Sequence, residues 1–218
     1  LQALKRIEPT YKPLDVETCL TRLFPERSIK RVLLVTPPDS EASAFREDTA
    51  KRLRYPNYPP YGLAVIAQKL RDIGIEVRIC NLNHEVLKKC IKSNGRFDYD
   101  DAWMRRLKLE IAVCQPDLVG ITCMFTMSHP SFRFVCGVVK GLGYPVAIGG
   151  VHVTNDVERV LDDIPAADIA FLNEAEIAMQ NLVRVVNGER VDLCQVILVD
   201  GSVRHRLRND CKPKAEDI

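Results

Sequence analysis

The sequence predicts an α/β protein of Rossmann type: a doubly wound, mainly parallel five-stranded sheet followed by a C-terminal β-hairpin. Two observations predict this fold class. First, short apolar runs alternate with stretches of helical periodicity from residue 31 to residue 187, which is the order typical of parallel sheets. Second, two strand-like runs near the C-terminus flank Asp200 and Gly201, a residue pair typical of hairpin turns.

The five strands are predicted from apolar runs that end at turn or breaker residues. Residues 31–36 are apolar on both faces and precede Pro37 and Pro38, which is typical of a central strand. Residues 75–80 alternate between apolar and polar side chains, so this strand is expected nearer an edge. The other three strands are buried runs at residues 118–122, 146–149 and 169–172.

Helical patterns separate these strands, and glycines such as Gly74, Gly143 and Gly188 follow several of them, as is typical of helix ends. A weaker helical pattern near Leu20 precedes the first strand and ends at Pro25. The predicted helices cover about residues 61–73, 99–115, 129–141, 154–163 and 174–187.

Composition excludes several classes of function. The chain has 31 basic and 29 acidic residues, so its net charge of +2 gives no strong field for nucleic acid or an anionic membrane. No apolar run approaches the roughly 18 residues that a membrane-spanning helix needs. The 8 cysteines are scattered through apolar stretches without a CxxC pair, so most are predicted to be buried thiols in a reducing compartment. We therefore expect a cytoplasmic domain with no nucleic-acid or membrane partner.

The candidate site lies at the carboxyl ends of the strands, because ligands of open parallel sheets bind there. Neither a GxGxxG fingerprint nor a GxxxxGK[ST] loop follows the first strand, which argues against a dinucleotide or nucleoside triphosphate. Gly149 and Gly150 end the fourth strand and remove Cβ atoms where a ligand could lie against the backbone, although a tight turn explains such a pair equally well.

The segment 39–57 is long for a loop within one domain, and such loops are usually functional or mobile. Its four basic residues form either a solvated face or a contact for an anionic group or a partner domain. These residues are Arg46, Lys51, Arg52 and Arg54.

No catalytic residue is assigned. Cys123 with His129 could form a nucleophilic pair, but the apolar surroundings of the thiol favour an inert core cysteine. Glu174 and Glu176 adjoin the start of a helix, where carboxylates complement the helix dipole without any catalytic role.

Four segments of the sequence, taken in order, carry a family resemblance. They are residues 32–38, residues 58–77, residues 116–122, and residues 148–154 with 173–176. Together they resemble the N-terminal cobalamin (vitamin B12)-binding domain of cobalamin-dependent radical SAM enzymes. By this resemblance the chain divides into an N-terminal extension (1–29), a cobalamin-binding-like domain (30–208) and the start of a linker (209–218).

The resemblance implies a corrinoid at the carboxyl edge of the sheet, with its nucleotide tail in a cleft beside the third and fourth strands. The parent enzyme would be of methyltransferase type, and its radical SAM barrel, a partner domain absent from this chain, would hold a [4Fe–4S] cluster and S-adenosylmethionine. No complete active site is predicted here, because the sequence has no CxxxCxxC triplet.

The cofactor-binding residues that the resemblance implies follow the strands or begin the helix near residue 61. They are Pro37, Pro38, Tyr61, Gly62, Thr122, Cys123, Met124, Gly149, Gly150, Val151, His152, Thr154, Asn173 and Glu174. His152 is either a polar cofactor contact or a loop histidine bonded to backbone or water. No metal ligand is predicted, because no histidine here stands in an Asp-x-His-x-x-Gly motif. The interpretation requires an open trench at this edge for the nucleotide tail.

Two other interpretations stay open. The chain departs from the family at Asn173 and Ala175, which stand where two glycines are expected, and this favours a degenerate domain that binds no corrinoid and acts in docking or substrate recognition. A flavodoxin-like receiver or small-molecule binder is disfavoured, because Asp39 follows two prolines and no acidic pair ends the first strand.

Overall fold

A computed structural model describes residues 13–207, with side chains from residue 16. Within this range, seven strands form one sheet, which confirms the predicted fold class; the hairpin extends the sheet and is not separate from it. The strands are β1 (Arg31–Thr36), β2 (Glu76–Asn81), β3 (Leu118–Thr122), β4 (Val146–Gly149), β5 (Ile169–Phe171), β6 (Val196–Asp200) and β7 (Val203–Leu207).

Within the described range, one helix precedes the first strand and the others connect strands. A 3₁₀ turn at Thr126–Ser128 precedes the helix that begins at His129. None of them is both long enough and apolar enough to cross a membrane. The helices are α1 (Pro13–Leu23), α2 (Glu47–Lys51), α3 (Tyr61–Arg71), α4 (Leu82–Lys92), α5 (Tyr99–Cys114), α6 (His129–Gly141), α7 (Val151–Asn155), α8 (Val157–Asp163) and α9 (Ala175–Val186).

The strand order is β2-β1-β3-β4-β5-β6-β7, with β1 to β5 parallel and the last two strands antiparallel. The strand β2 lies at an edge, as its alternating pattern predicts. From β1 the chain passes to β2 on one side, and β3 then lies on the other side of β1. The topological switch point, where ligands of such sheets bind, therefore lies between the carboxyl ends of β1 and β3.

The two faces of the sheet pack against different helices. One face, here called the α5 face, presents side chains such as Val35 and Ile121 to α4, α5, α6 and α8, with Trp103 and Phe132 in the same buried cluster. The other, the α3 face, presents side chains such as Leu34 to α1, α3 and α9. Because successive strand residues point to opposite sides, the alternate residues of each strand decide how each face is filled.

Besides the short α2 in the predicted loop 39–57, the structure differs from the sequence prediction in its helices at two places. Helix α4 was not predicted, although Asn81 caps it by accepting a hydrogen bond from the His84 backbone N–H at 2.9 Å, and Leu82, Val86 and Cys90 bury one face. The helix predicted at 154–163 is two helices, α7 and α8, because Asp156 leaves the helical region with φ −144° and ψ 47°.

The segment 39–57 is folded against the domain. It contains α2, and the Phe45 ring stacks on Tyr55 at 5.2 Å and contacts Tyr99 at 4.8 Å. Its four basic side chains are exposed, as a solvated face requires. The linker predicted at 209–218 lies outside the described residues.

Candidate functional site

A cavity of about 540 Å³ opens at the carboxyl ends of β1, β3 and β4. Its floor is the α3 face of the sheet, and its other walls come from α3, α9 and the segments that follow β1 and β3. Alternate strand residues form the floor, namely Leu34, Thr36, Gly120, Thr122, Ala147, Gly149 and Phe171. The cavity therefore lies beside the switch point, where the topology predicts a ligand.

Missing side-chain volume creates this cavity. A Cβ atom added to Gly120 would lie 2.9 Å from Leu34 Cδ2 and 3.1 Å from Met179 Cε, so the ends of these two side chains occupy the space above Gly120. Ala147 adds one methyl group, and a Cβ at Gly149 would meet Phe171 at 3.6 Å, an ordinary contact distance. The small residues at the end of β4 thus keep the trench open beside these two side chains.

The two adjacent glycines have different roles. Gly149 contributes open floor, whereas Gly150 has φ +108°, and a Cβ there would lie 2.5 Å from the Cys123 carbonyl oxygen. Gly150 therefore lets the turn after β4 pass against the end of β3, where the His152 backbone N–H donates to Cys123 O at 3.1 Å. The tight turn therefore explains Gly150, whereas Gly149 stays a predicted place for a ligand to lie against the backbone.

Ten of the fourteen residues singled out in the sequence line the cavity. They are Pro37, Tyr61, Gly62, Thr122, Met124, Gly149, Gly150, Val151, Asn173 and Glu174. Pro38 is buried behind it. Thr154 lines a smaller neighbouring cavity, and its Oγ1 accepts a hydrogen bond from the Asn173 backbone N–H at 2.9 Å.

Cys123 is turned away from the cavity. The thiol is buried and lies 3.4 Å from the Phe125 carbonyl oxygen. Desolvation raises the pKa of Cys123 to about 11, so the thiolate is scarce near neutral pH. This agrees with the expectation of an inert core cysteine.

His152 is bonded to protein groups beside the cavity. Its Nε2 lies 2.9 Å from Nδ1 of His129, and its Nδ1 lies 3.2 Å from the Thr126 hydroxyl. His129 Nε2 in turn lies 3.6 Å from an Asp163 carboxylate oxygen. Burial, followed by the nearby His152, lowers the pKa of His129. The structure thus joins two histidines that the sequence treated separately, and it does not bring His152 into the cavity lining.

Asn173 adopts the left-handed conformation, with φ 57°. Asparagine enters this region more readily than most residues, so it keeps the backbone form that glycine favours. The next departure from the family, Ala175, begins α9 and lines the cavity.

Polar residues of β1, of the segment after it and of α4 also line the cavity and were not among the predicted site residues. The Thr36 hydroxyl is buried and has no hydrogen-bond partner in the described structure. Burial raises the pKa of Asp39, whose carboxylate accepts a hydrogen bond from Asn83 Nδ2 at 2.8 Å. The signal that could have found Thr36 is the alternation within β1, which places it on the same face as Leu34.

The charge of the lining limits what the cavity can hold. Asp39, Glu174 and Glu176 line it, whereas none of the lining residues in the described chain is basic. A phosphate group inside would therefore have no counter-charge, while a neutral aromatic group would be matched by the apolar walls. Among the described residues, no group of three His, Cys, Asp or Glu side chains could hold a metal ion.

Residues 52–183 match the family described as the B12 binding domain. No curated protein matches the chain. Sixteen chains of solved structures match. One is a novel cobalamin-binding protein from Desulfitobacterium hafniense DCB-2, with 16% identity and a TM-score of 0.41 over 71% of this chain and 60% of that one, so this chain spans about three fifths of that protein.

The family match extends over more than half of the chain, from the segment before α3 to the middle of α9, and includes most of the residues that line the cavity. The chain belongs to the B12 binding domain family.

Proposed function

We propose that this chain is the cobalamin-binding domain of a radical SAM enzyme of methyltransferase type, and that its cavity holds the nucleotide tail of the cofactor. The observation that carries the proposal is the open trench at the switch point, whose floor lacks side chains at Gly120 and Gly149. Its volume falls within the roughly 300–1,000 Å³ of small-molecule sites.

The cavity and its rim fit the two parts of a corrinoid. Apolar walls suit the flat, neutral base of the tail, and the acidic lining favours a phosphate that stays at the mouth. Around the mouth, several large apolar side chains are exposed, a surface that suits a flat macrocycle. They are Tyr58, Tyr61, Met124, Phe125 and Val151.

Cobalamin, when bound, supplies a cobalt centre that can carry and transfer a methyl group. The residues of this chain would hold the tail, orient the macrocycle and exclude water from beneath it. No histidine of the described chain lines the cavity, and the sequence has no Asp-x-His-x-x-Gly motif. We therefore propose that, if cobalamin binds, this chain would supply no histidine ligand to its metal.

The radical SAM context rests on the resemblance of the four segments in their order. In this proposal residues 30–208 form the cofactor domain, residues 209–218 lead toward a barrel that supplies the iron–sulfur cluster and S-adenosylmethionine, and the enzyme acts in the cytoplasm. The degenerate docking domain was favoured by the replaced glycines, and the left-handed φ of Asn173 weakens that reason.

The first test is a titration of the purified chain with hydroxocobalamin, followed by gel filtration and a visible spectrum. We expect about one corrinoid per chain to elute with the protein, with a spectrum shifted toward the form in which the benzimidazole has left the cobalt. A chain that stays colourless at saturating hydroxocobalamin contradicts cofactor binding and favours the docking function.

The enzyme class needs a separate test on the parent polypeptide. We expect its sequence beyond residue 218 to contain CxxxCxxC. After reduction, the anaerobically purified protein should show the electron paramagnetic resonance signal of a [4Fe–4S]⁺ cluster. A parent polypeptide without this motif contradicts the radical SAM context but leaves cobalamin binding standing.

A further inference from the structure

The floor of the cavity contains one buried polar atom without a partner among the described residues, Oγ1 of Thr36. The other side-chain atoms of this kind in the described chain belong to Arg27, Arg31 and Arg184, none of which lines the cavity. A buried hydroxyl that lacks a hydrogen bond lowers stability, so a native protein retains one where a ligand or a water completes it.

Thr36 is placed to meet the inner end of a ligand. It ends β1 on the α3 face, two residues beyond Leu34, and the pairing of Val35 with Ile121 puts it level with Thr122 on β3. Next to it, the ends of the Leu34 and Met179 side chains lie over Gly120. The hydroxyl therefore lies at the switch point, beside Thr122.

The surroundings select the kind of atom that this hydroxyl can meet. The carboxylates of Asp39, Glu174 and Glu176 line the cavity without any basic residue among its described lining, which disfavours a phosphate oxygen. A neutral aromatic ring with one acceptor nitrogen satisfies both the apolar walls and the unpaired hydroxyl of Thr36. When a benzimidazole leaves the cobalt, its ring nitrogen becomes such an acceptor.

We propose that the Thr36 hydroxyl donates a hydrogen bond to the base nitrogen of the nucleotide tail, and that the cavity thereby selects corrinoids by their lower base. This inference rests on the proposed cobalamin function and adds a specificity residue to it. Corrinoids with a phenolic base, which lacks this nitrogen, leave the hydroxyl unpaired and bind without its contribution.

The test compares Thr36→Val, which keeps the shape and removes the hydroxyl, with Thr36→Ser, which keeps the hydroxyl. Dissociation constants are measured by absorbance titration for hydroxocobalamin and for a corrinoid with a phenolic base. Thr36→Val is expected to weaken cobalamin binding about fivefold to tenfold, the usual range for one hydrogen bond, and to leave the phenolic corrinoid unchanged. Thr36→Ser is expected to bind both like the wild type, as is Thr49→Val, a matched control in α2 outside the cavity.

The melting temperature of the ligand-free chain gives a second readout. A protein loses stability when valine replaces a threonine whose hydroxyl makes a structural hydrogen bond. It does not lose stability in this way when the hydroxyl is unbonded without the ligand. We therefore expect ligand-free Thr36→Val to melt at or above the wild-type temperature while its cobalamin affinity falls. A lowered melting temperature in the ligand-free variant contradicts the assignment.

Three binding results overturn the inference in different ways. Equal weakening of both corrinoids places the hydroxyl on the ribose or phosphate, which they share. Unchanged cobalamin binding in Thr36→Val means that the hydroxyl binds water only. A wild-type chain that binds no corrinoid refutes the proposed function, and the inference with it, whereas the first two results leave that function intact.

Discussion

The two faces of the sheet carry side chains of different size at the same level of the strands. On the α5 face, Val35, Ile121 and Ile148 fill the space against Trp103 and its neighbours. On the α3 face, the adjacent positions include Gly120 and Ala147, and a cavity remains. Apolar runs are enough to form a parallel sheet, but they do not decide where a cavity opens on it. The side-chain volumes of alternate strand residues decide that.

The two ends of the sheet also differ, in the hydrogen bonding of individual polar side chains. At the amino end, the Asp117 carboxylate accepts hydrogen bonds from the backbone of Lys30 and Arg31 at 2.8 and 2.9 Å, and Asp168 accepts from Val146 N at 2.9 Å and from Lys140 Nζ at 2.6 Å. At the carboxyl end, the Thr36 hydroxyl stays unbonded.

The largest expected effect comes from filling the cavity. Ala147→Leu places a larger side chain on the α3 face, at a residue that lines the cavity, whereas Ala170→Leu places the same side chain on the filled α5 face. Ala147→Leu is expected to weaken hydroxocobalamin binding at least ~100-fold with little change in melting temperature. Ala170→Leu is expected to lose about 1–3 kcal/mol of stability to overpacking, roughly 2–12 °C in melting temperature, and to keep its affinity.

Absorbance titration and thermal denaturation of both variants check this pair. If Ala147→Leu binds hydroxocobalamin like the wild type, the tail does not enter the cavity. If both variants lose the same stability, the two faces are packed alike.

A smaller effect separates the adjacent glycines. Gly150→Ala forces alanine to φ +108° with its Cβ 2.5 Å from Cys123 O, and should cost about 1–3 kcal/mol of unfolding free energy. Gly149→Ala meets only an ordinary contact at 3.6 Å and should stay within about 1 kcal/mol of the wild type. Urea denaturation measures both values. Equal losses would show that Gly149 also serves the backbone.

The smallest effect concerns pH. The pKa of folded His129 lies below its ordinary value of 6.5, chiefly because the ring is buried and lies beside His152. The unfolded chain therefore binds this proton at a higher pH than the folded protein does. Stability should fall as the pH drops through about 6.5, and this loss should end below the folded pKa.

Circular dichroism melting curves between pH 5 and pH 8 test this, with His129→Gln as the variant and His84→Gln, at an exposed histidine, as the matched control. We expect the slope of melting temperature against pH to become shallower in His129→Gln and to persist in His84→Gln. An unchanged slope in His129→Gln assigns the pH dependence to another group.

The sequence predicted the fold and the edge of the sheet that forms the site, but not the floor of the site. Breakers after each strand located the carboxyl edge, so residues such as Gly149 and Met124 were found. Thr36 and Gly120 were missed because they lie within apolar runs, where a strand buried on both faces gives no sign of which side is filled. The pairing of His129 with His152 depends on how two connections meet, and no local pattern encodes it.

The absence of a side chain at Gly120 has an evolutionary consequence. Any glycine codon becomes a valine codon through a single base change, and the atoms gained would press on Leu34 and Met179, two side chains whose flexible ends can yield. Duplicated genes of this lineage could therefore lose the vitamin and keep the architecture in one mutational step. Paralogues that keep the fold but no longer bind the cofactor should have a bulkier residue at this position.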